Sequence, residues 1–375
     1  MRYRRFWVVL VVMSIGLAGA SIASGATAKA RILIISSYHR DYLWSQATQR
    51  GLGAAMLKYG YLENIHQSNT LASQDVVESA RAVIRKEWMD TKRRYSSLEI
   101  AQVTTRIMQV VETFQPDLVL LGDDNAAHYI GSLLLDTATP VVFWGINGLP
   151  LKYGLVDSLD RPGHNVTGVW QSGYLRESLD LLHHLAPEAK TFAVLACDSV
   201  TARAKVKQLQ ALARKGKLPL ELVDVVVTNS WPTFQQRTLA LARQVDAFFV
   251  LNHDTLKDAD GQHVEMLTVG RWYLEHIRKP ETSHEGQFVE EGMLCTANDS
   301  GYNQGYTAFE MAVEILDRGA QPSQMPPRTP PRGPLMVNRE RAKMLGIDLE
   351  TKMDHIEEVV DAALALRHRV HADKH

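Results

Sequence analysis

Short apolar runs recur along this chain, each stopping at a polar residue or a glycine. Ile32-Leu33-Ile34-Ile35 stops at Ser36-Ser37, residues 118–121 stop at Gly122, and residues 141–144 stop at Gly145. The same pattern restarts with residues 166–170, 191–196, 220–227 and 247–251. These runs are continuous rather than alternating, which marks strands covered by helices on both faces. Between them lie stretches with helical spacing, such as Leu175, Leu179 and Leu182, or Val206, Leu209 and Ala213. Residues 44–59, 126–135, 232–244 and 263–276 read as further helices. Residues 64–70 read as a weaker strand. Residues 74–113 read as two helices parted by the polar patch Lys92-Arg93-Arg94-Tyr95-Ser96-Ser97.

Strand–helix–strand alternation implies parallel sheets with right-handed crossovers. The alternation is written twice, on either side of a loop at 148–165 that holds Gly148, Pro150, Gly154, Pro162 and Gly163. The simplest packing is α/β with two Rossmann-like lobes around a crevice. The expected boundaries are 31–165 for the N-terminal lobe, completed by about 300–349, and 166–297 for the C-terminal lobe. An amphipathic helix with Tyr306, Phe309, Val313 and Leu316 on one stripe precedes a proline-rich connector at 321–334, and 350–375 read as a polar C-terminal helix and tail.

Composition adds a compartment. The chain has 375 residues and a formal net charge of −1, so no global field draws it to nucleic acid. Residues 1–30 differ from the rest: Arg2, Arg4 and Arg5, then an apolar run over 6–20, then small residues ending in Ala26-Thr27-Ala28 and Ala28-Lys29-Ala30. That order predicts a cleaved signal peptide, the alternative being an uncleaved anchor because the run is near the lower end of a spanning length, and it implies a periplasmic or extracytoplasmic protein. No cysteine lies near the cleavage region, so a lipoprotein is not expected. Cys197 and Cys295 are the two cysteines. Export permits a bridge between them, but a fold this large does not need one, and two buried thiols are expected.

In open α/β sheets, ligands bind beyond the carboxyl ends of the strands. The residues that follow each strand are therefore the candidates: Ser37, Tyr38, Asp123, Asp124, Trp144 and Asn147 in the first lobe, and Asp198, Ser199, Trp231, Asn252 and Asp254 in the second. Trp44 follows the first strand–helix junction, and Trp170 lies at the passage between lobes. Hydroxyls, amides and carboxylates would orient a small organic ligand, and Trp and Tyr would wall it. Enzyme signatures fail: there is no Walker A loop and no Gly-x-Ser-x-Gly elbow, and Gly51-x-Gly53 falls inside a helix rather than at a strand end. His253-Asp254 lacks a nucleophile. Asp258-Ala259-Asp260-Gly261 lacks the remaining oxygens of a calcium loop. His183 and His184 point to different sides of their helix. No catalytic residue, metal or cofactor is therefore expected.

Several segments resemble a known family. Asn165-Val166-Thr167-Gly168-Val169, residues 179–187 (Leu-Asp-Leu-Leu-His-His-Leu-Ala-Pro), residues 191–195, and Pro140-Val141-Val142-Phe143-Trp144-Gly145-Ile146-Asn147 are similar to ABC-transporter substrate-binding proteins related to tryptophan- and tyrosine-binding components. Residues 301–316 and 337–347 are similar too. The resemblance implies a type I periplasmic-binding-protein architecture with three crossovers, near 166–171, 295–300 and 325–336. It implies a ligand that is an amino acid or another small molecule, closed between the lobes and passed to ABC permease subunits. Related modules also serve as sensory partners of membrane kinases, which is the alternative reading.

Overall fold

The computed structural model describes residues 28–94 and 96–367. The expected signal peptide falls almost wholly outside the described residues, as does the end of the expected tail. Two sheets organise the chain. The first contains β1 (Ala30–Ser36), β2 (Val76–Glu78), β3 (Ala82–Trp88), β4 (Leu118–Gly122), β5 (Val141–Ile146) and β6 (Val166–Trp170), in the order β2-β3-β1-β4-β5-β6. All its pairings are parallel except β2 with β3. The second contains β7 (Thr191–Ala196), β8 (Glu221–Val227), β9 (Ala247–Val250), β10 (Glu281–Ser283), β11 (Cys295–Ala297), β12 (Leu335–Asn338) and β13 (Glu358–Val360), ordered β13-β12-β11-β10-β9-β7-β8. Here only β11 with β12 is antiparallel.

Two expectations fail in the first lobe. Residues Ile65–Ser73 form a helix, not a strand, with the Asn64 side chain accepting from the Gln67 N–H as an N-cap. The strand lies later, at β3, within the stretch expected to be helical. Arg85, Lys86 and Glu87 give that stretch a solvated, helix-like look. In the fold Lys86 is buried and donates to the Leu71 carbonyl, while Glu87 pairs with Arg85 and Arg106. Pairing along the whole of β1 outweighs the local preference.

The C-terminal region also departs. The helix Gly301–Arg318 does return to the first lobe, where it packs on the helix Leu43–Lys58 and on β5 and β6. The segments that follow do not stay there. β12 and β13 extend the second sheet, so 335–349 belongs with the second lobe, and 358–360 is a strand rather than part of a polar helix. The reason is the open edge of β11, whose unpaired backbone groups β12 satisfies, leaving an edge that β13 covers in turn.

The chain crosses between the sheets at 171–174, 298–300 and 326–334. The crossovers are tied to one another: Asn298 exchanges backbone hydrogen bonds with Pro334 (3.1 Å) and Gly333 (2.8 Å), and the Gly173 N–H donates to Asp299 at 2.8 Å. Apolar clusters flank both faces of the first sheet. A third fills the second lobe, and it includes Tyr38, Tyr42 and Trp44 from the first. The lobes are thus closed upon each other. Cys197 and Cys295 are buried, unpaired thiols, and burial pushes Cys197 up to about 11. Among the described residues, no helix is long and apolar enough to cross a membrane.

Candidate functional site

The first lobe presents the carboxyl ends of β1, β4 and β5 to the gap. Ser37 is fully buried there, donates to the Gly122 carbonyl at 2.6 Å and accepts from the Ala126 N–H at 2.8 Å. It fastens β1 to the turn after β4. In that turn Asp123 has φ 69, a left-handed conformation tolerated by few non-glycine residues. The twist turns its carboxylate toward the indole of Trp44, whose Nε1 donates to Oδ1 at 2.6 Å. Asp124 points the other way. It accepts from the Asn147 backbone N–H (3.0 Å), the Asn147 side-chain amide (2.8 Å) and the Tyr153 hydroxyl.

The second lobe answers across the gap. Thr201 donates to Asp124 Oδ2 at 3.1 Å and lies 3.5 Å from the Tyr38 hydroxyl. Asp254 accepts from the Tyr42 hydroxyl and from Lys92 Nζ at 2.9 Å. The Gln287 side-chain oxygen accepts from the Trp44 backbone N–H at 3.1 Å. Each contact joins an element of one lobe to an element of the other. Tyr38 and Tyr42 meet edge to face at 5.2 Å between ring centroids, and Lys92 Nζ lies 4.3 Å from the Tyr38 ring centroid. A cavity of about 200 Å³ borders this contact, lined by Tyr38, Lys92, Asp124, Thr201 and Arg203 among others. A second of about 300 Å³ is lined by Tyr42, Lys92, Asp254 and Glu265 among others, and a third of about 290 Å³ adjoins Trp44 and Gln287.

The carboxyls of the gap are not equivalent. Burial opposes ionisation of Asp254, yet Lys92 and the Tyr42 hydroxyl outweigh it and hold the group down to about 2. Burial likewise works against Glu285, but His284, Lys205 and Gln287 keep it below the usual carboxylate range. For Asp123 burial wins: the Trp44 hydrogen bond opposes it, Asp124 reinforces it, and the carboxyl lies well above its ordinary value. Behind Asp254, His253 Nδ1 donates to the Leu251 carbonyl (3.0 Å) and Nε2 pairs with Glu291 at 2.9 Å, both side chains fully buried.

The fold thus gathers Tyr38, Trp44, Asp123, Asp124, Asn147, Asn252 and Asp254 around the closed gap. Buried Asn147 Oδ1 and Asn252 Oδ1 lack hydrogen-bond partners there. Asp198 and Ser199 line the rim of the smaller cavity, where Asp198 pairs with exposed Arg203 and Ser199 caps the helix Val200–Arg214 through the Ala202 N–H. Three tryptophans do other work. Trp144 is fully buried in the core of the first lobe, beneath Gly122, where an added Cβ would overlap its ring. Trp170 ends β6 at the first crossover, where its N–H donates to the Arg328 carbonyl at 3.0 Å. Trp231 stacks on Phe234 and meets Trp272 edge to face within the second lobe. Ser37, as described, is a fastener. The reading of strand ends missed Tyr42, Lys92, Thr201, Glu285 and Gln287. Glu285 and Gln287 follow β10, a strand too short to stand out, and Lys92 follows the misread β3. Thr201 follows β7 closely and could have been found by extending the search a few residues.

Two parallel-dominated α/β lobes, three crossovers and a polar, aromatic gap define a type I periplasmic binding protein. The chain belongs to the ABC transporter substrate binding protein family, whose model matches residues 82–359. A tyrosine-binding protein of Clostridioides difficile (strain R20291) is 25% identical over 207 residues, which is 55% of this chain and 56% of that protein. The chain therefore aligns with about half the length of this curated relative. Among solved structures, an ABC domain in complex with L-Trp from Streptococcus pneumoniae has a TM-score of 0.68 at 21% identity, covering 88% of this chain and 100% of that one. A ligand-free, open substrate-binding protein with adhesive properties from Clostridium difficile has a TM-score of 0.62 at 22% identity, covering 88% and 99%.

Proposed function

We propose that this protein is an extracytoplasmic solute-binding protein that closes on a small organic ligand bearing an aromatic ring and an ammonium group, and presents it to ABC permease subunits. One observation carries the reading. Tyr38, Tyr42 and Trp44 from the first lobe are buried against the second, amid the carboxyls of Asp123, Asp254 and Glu285, with Lys92 meeting Asp254 across the gap. Rings make flat apolar walls, and an ammonium group beside Asp123, whose carboxyl burial holds well above its ordinary value, would favour its charged form. The relatives fit: one is named for tyrosine, and another was solved with L-Trp. The signal-peptide pattern over residues 1–30 supports export, and the absence of a nearby cysteine supports a free rather than lipid-modified N-terminus.

Fluorescence titration and thermal melting of the purified mature protein test the ligand class. Aromatic amino acids and aromatic amines should change the fluorescence of buried Trp44 and raise the melting temperature, by about 2.7 kcal/mol of added stability at a hundredfold excess over Kd. A flat response, or a preference for aromatic acids that lack an amine, refutes the proposed chemistry. N-terminal sequencing of the exported protein should find a start close to residue 28. Affinity capture from membranes should recover permease subunits, and recovery of a sensor kinase instead would count against delivery.

A further inference from the structure

We propose that His184, Asp354 and His355 form a binding site for a divalent transition-metal ion of the zinc class, on the second lobe and apart from the gap. His184 lies at the end of the helix Leu175–Leu185, and Asp354 and His355 lie on the single 3-10 turn Met353–His355 that precedes β13. One ligand atom from each of the three falls within 4.8 Å of the others.

The spacing leaves room for an ion among the three side chains. His184 Nε2 stands 3.5 Å from Asp354 Oδ1, and His355 Nε2 stands 3.4 Å from Asp354 Oδ2. A hydrogen bond from a ring N–H to a carboxylate would be about 2.9 Å. Two ligand atoms that share a tetrahedral zinc, with metal–ligand bonds near 2.0–2.1 Å, stand about 3.4 Å apart. His184 Nε2 is enclosed yet has no hydrogen-bond partner among the described residues. The two rings meet edge to face at 4.3 Å between centroids.

Lys352 Nζ donates to the His184 carbonyl at 3.0 Å, which ties the turn to the helix. Glu177 and Asp180 line the same cavity of about 290 Å³ as His184 and His355 and add negative potential. Arg332 also lines it, but both arms of its guanidinium are engaged by Glu357, at 2.6 and 3.0 Å. Two imidazoles and one carboxylate suit zinc, nickel or copper better than calcium or magnesium, and water would complete the tetrahedron. A bound ion would clip the segment after the third crossover onto the second lobe without bridging the two lobes.

The test uses untagged full-length mature protein stripped with a chelator and titrated with Zn²⁺ by calorimetry, with Co²⁺ as an absorption probe. The expected result is saturable binding of one ion per chain, tetrahedral Co²⁺ bands, and a Zn²⁺-dependent rise in melting temperature. The H184Q/H355Q variant should weaken binding at least about tenfold and abolish the thermal shift. Its response to the gap ligand should stay unchanged, which shows that it remains folded. A second variant, H368Q/H371Q/H375Q, removes the histidines of the chain end and should bind as the wild type does. Unaltered Zn²⁺ affinity in H184Q/H355Q, or loss of binding in the chain-end variant, overturns the proposal.

Discussion

Lys92 and Asp254 meet at 2.9 Å with side-chain exposures of 5% and 3%, so each depends on the other to remain charged out of water. The sign of the resulting pH dependence follows directly. The carboxyl of Asp254 is depressed to about 2 in the closed protein, against about 3.9 in an unfolded chain. Its contribution to closure, roughly 2–3 kcal/mol, is complete above the unfolded value and is lost as pH falls from about 4 through 2. Acid titration followed by solution X-ray scattering should show this loss as opening of the wild type. K92M should flatten that limb of the curve, because it removes the cation that lowers Asp254. Cys197 gives a second prediction at this scale. Burial raises its thiol to about 11, so thiol reagents at neutral pH should leave it unmodified until the protein is denatured. Labelling within minutes in the native state would contradict that.

At the scale of elements, one packing decision places Trp44. The helix Leu43–Lys58 carries it, and the helix Gly301–Arg318 returns from the second lobe to lie against that helix. The two touch backbone to backbone. A Cβ on Gly305 would overlap the Thr48 carbonyl oxygen, and one on Gly51 would overlap the Tyr302 carbonyl oxygen. Overpacking of this kind costs about 1–3 kcal/mol. G305A should therefore lower the melting temperature, by about 2–4 °C per kcal/mol, and should weaken ligand binding because Trp44 shifts away from Asp123. An unchanged melting temperature would mean that the helices separate freely. The same scale explains why β3 was misread. Arg85 pairs with Glu87 within the strand, but Lys86 and Glu87 also depend on Asp75, Arg106 and the Leu71 carbonyl, all on other segments. Nothing within 82–88 announces those partners.

The whole molecule is two bodies held shut by a few contacts, and that sets the consequence of removing one. Breaking a buried ion pair ordinarily costs about 3–5 kcal/mol. Here the lobes can part and hydrate Asp254, so the cost falls on closure rather than on folding. K92M should accordingly raise the radius of gyration of the ligand-free protein in solution X-ray scattering while changing the melting temperature little. A collapse in melting temperature with no expansion would place the pair in the folding core instead. Y42F, which removes the other donor to Asp254, should act in the same direction and less strongly, since it deletes a hydrogen bond and not a charge.

The sequence by itself determined the α/β class, the two lobes, most strand positions, and the acids at the strand tips. Those features are written in local periodicity and in the residue that ends each apolar run, and both survive any arrangement of the lobes. It did not determine that Trp144, inside β5, faces the core while Trp44, on the helix after β1, faces the gap, because a tryptophan near the end of an apolar run looks the same in either case. Nor did it reveal that β12 and β13 complete the second sheet, or that Lys92, Thr201 and Gln287 reach the opposite lobe. Those outcomes depend on which edge remains unpaired and on which surfaces meet when the gap shuts, and only packing across long sequence separations decides them.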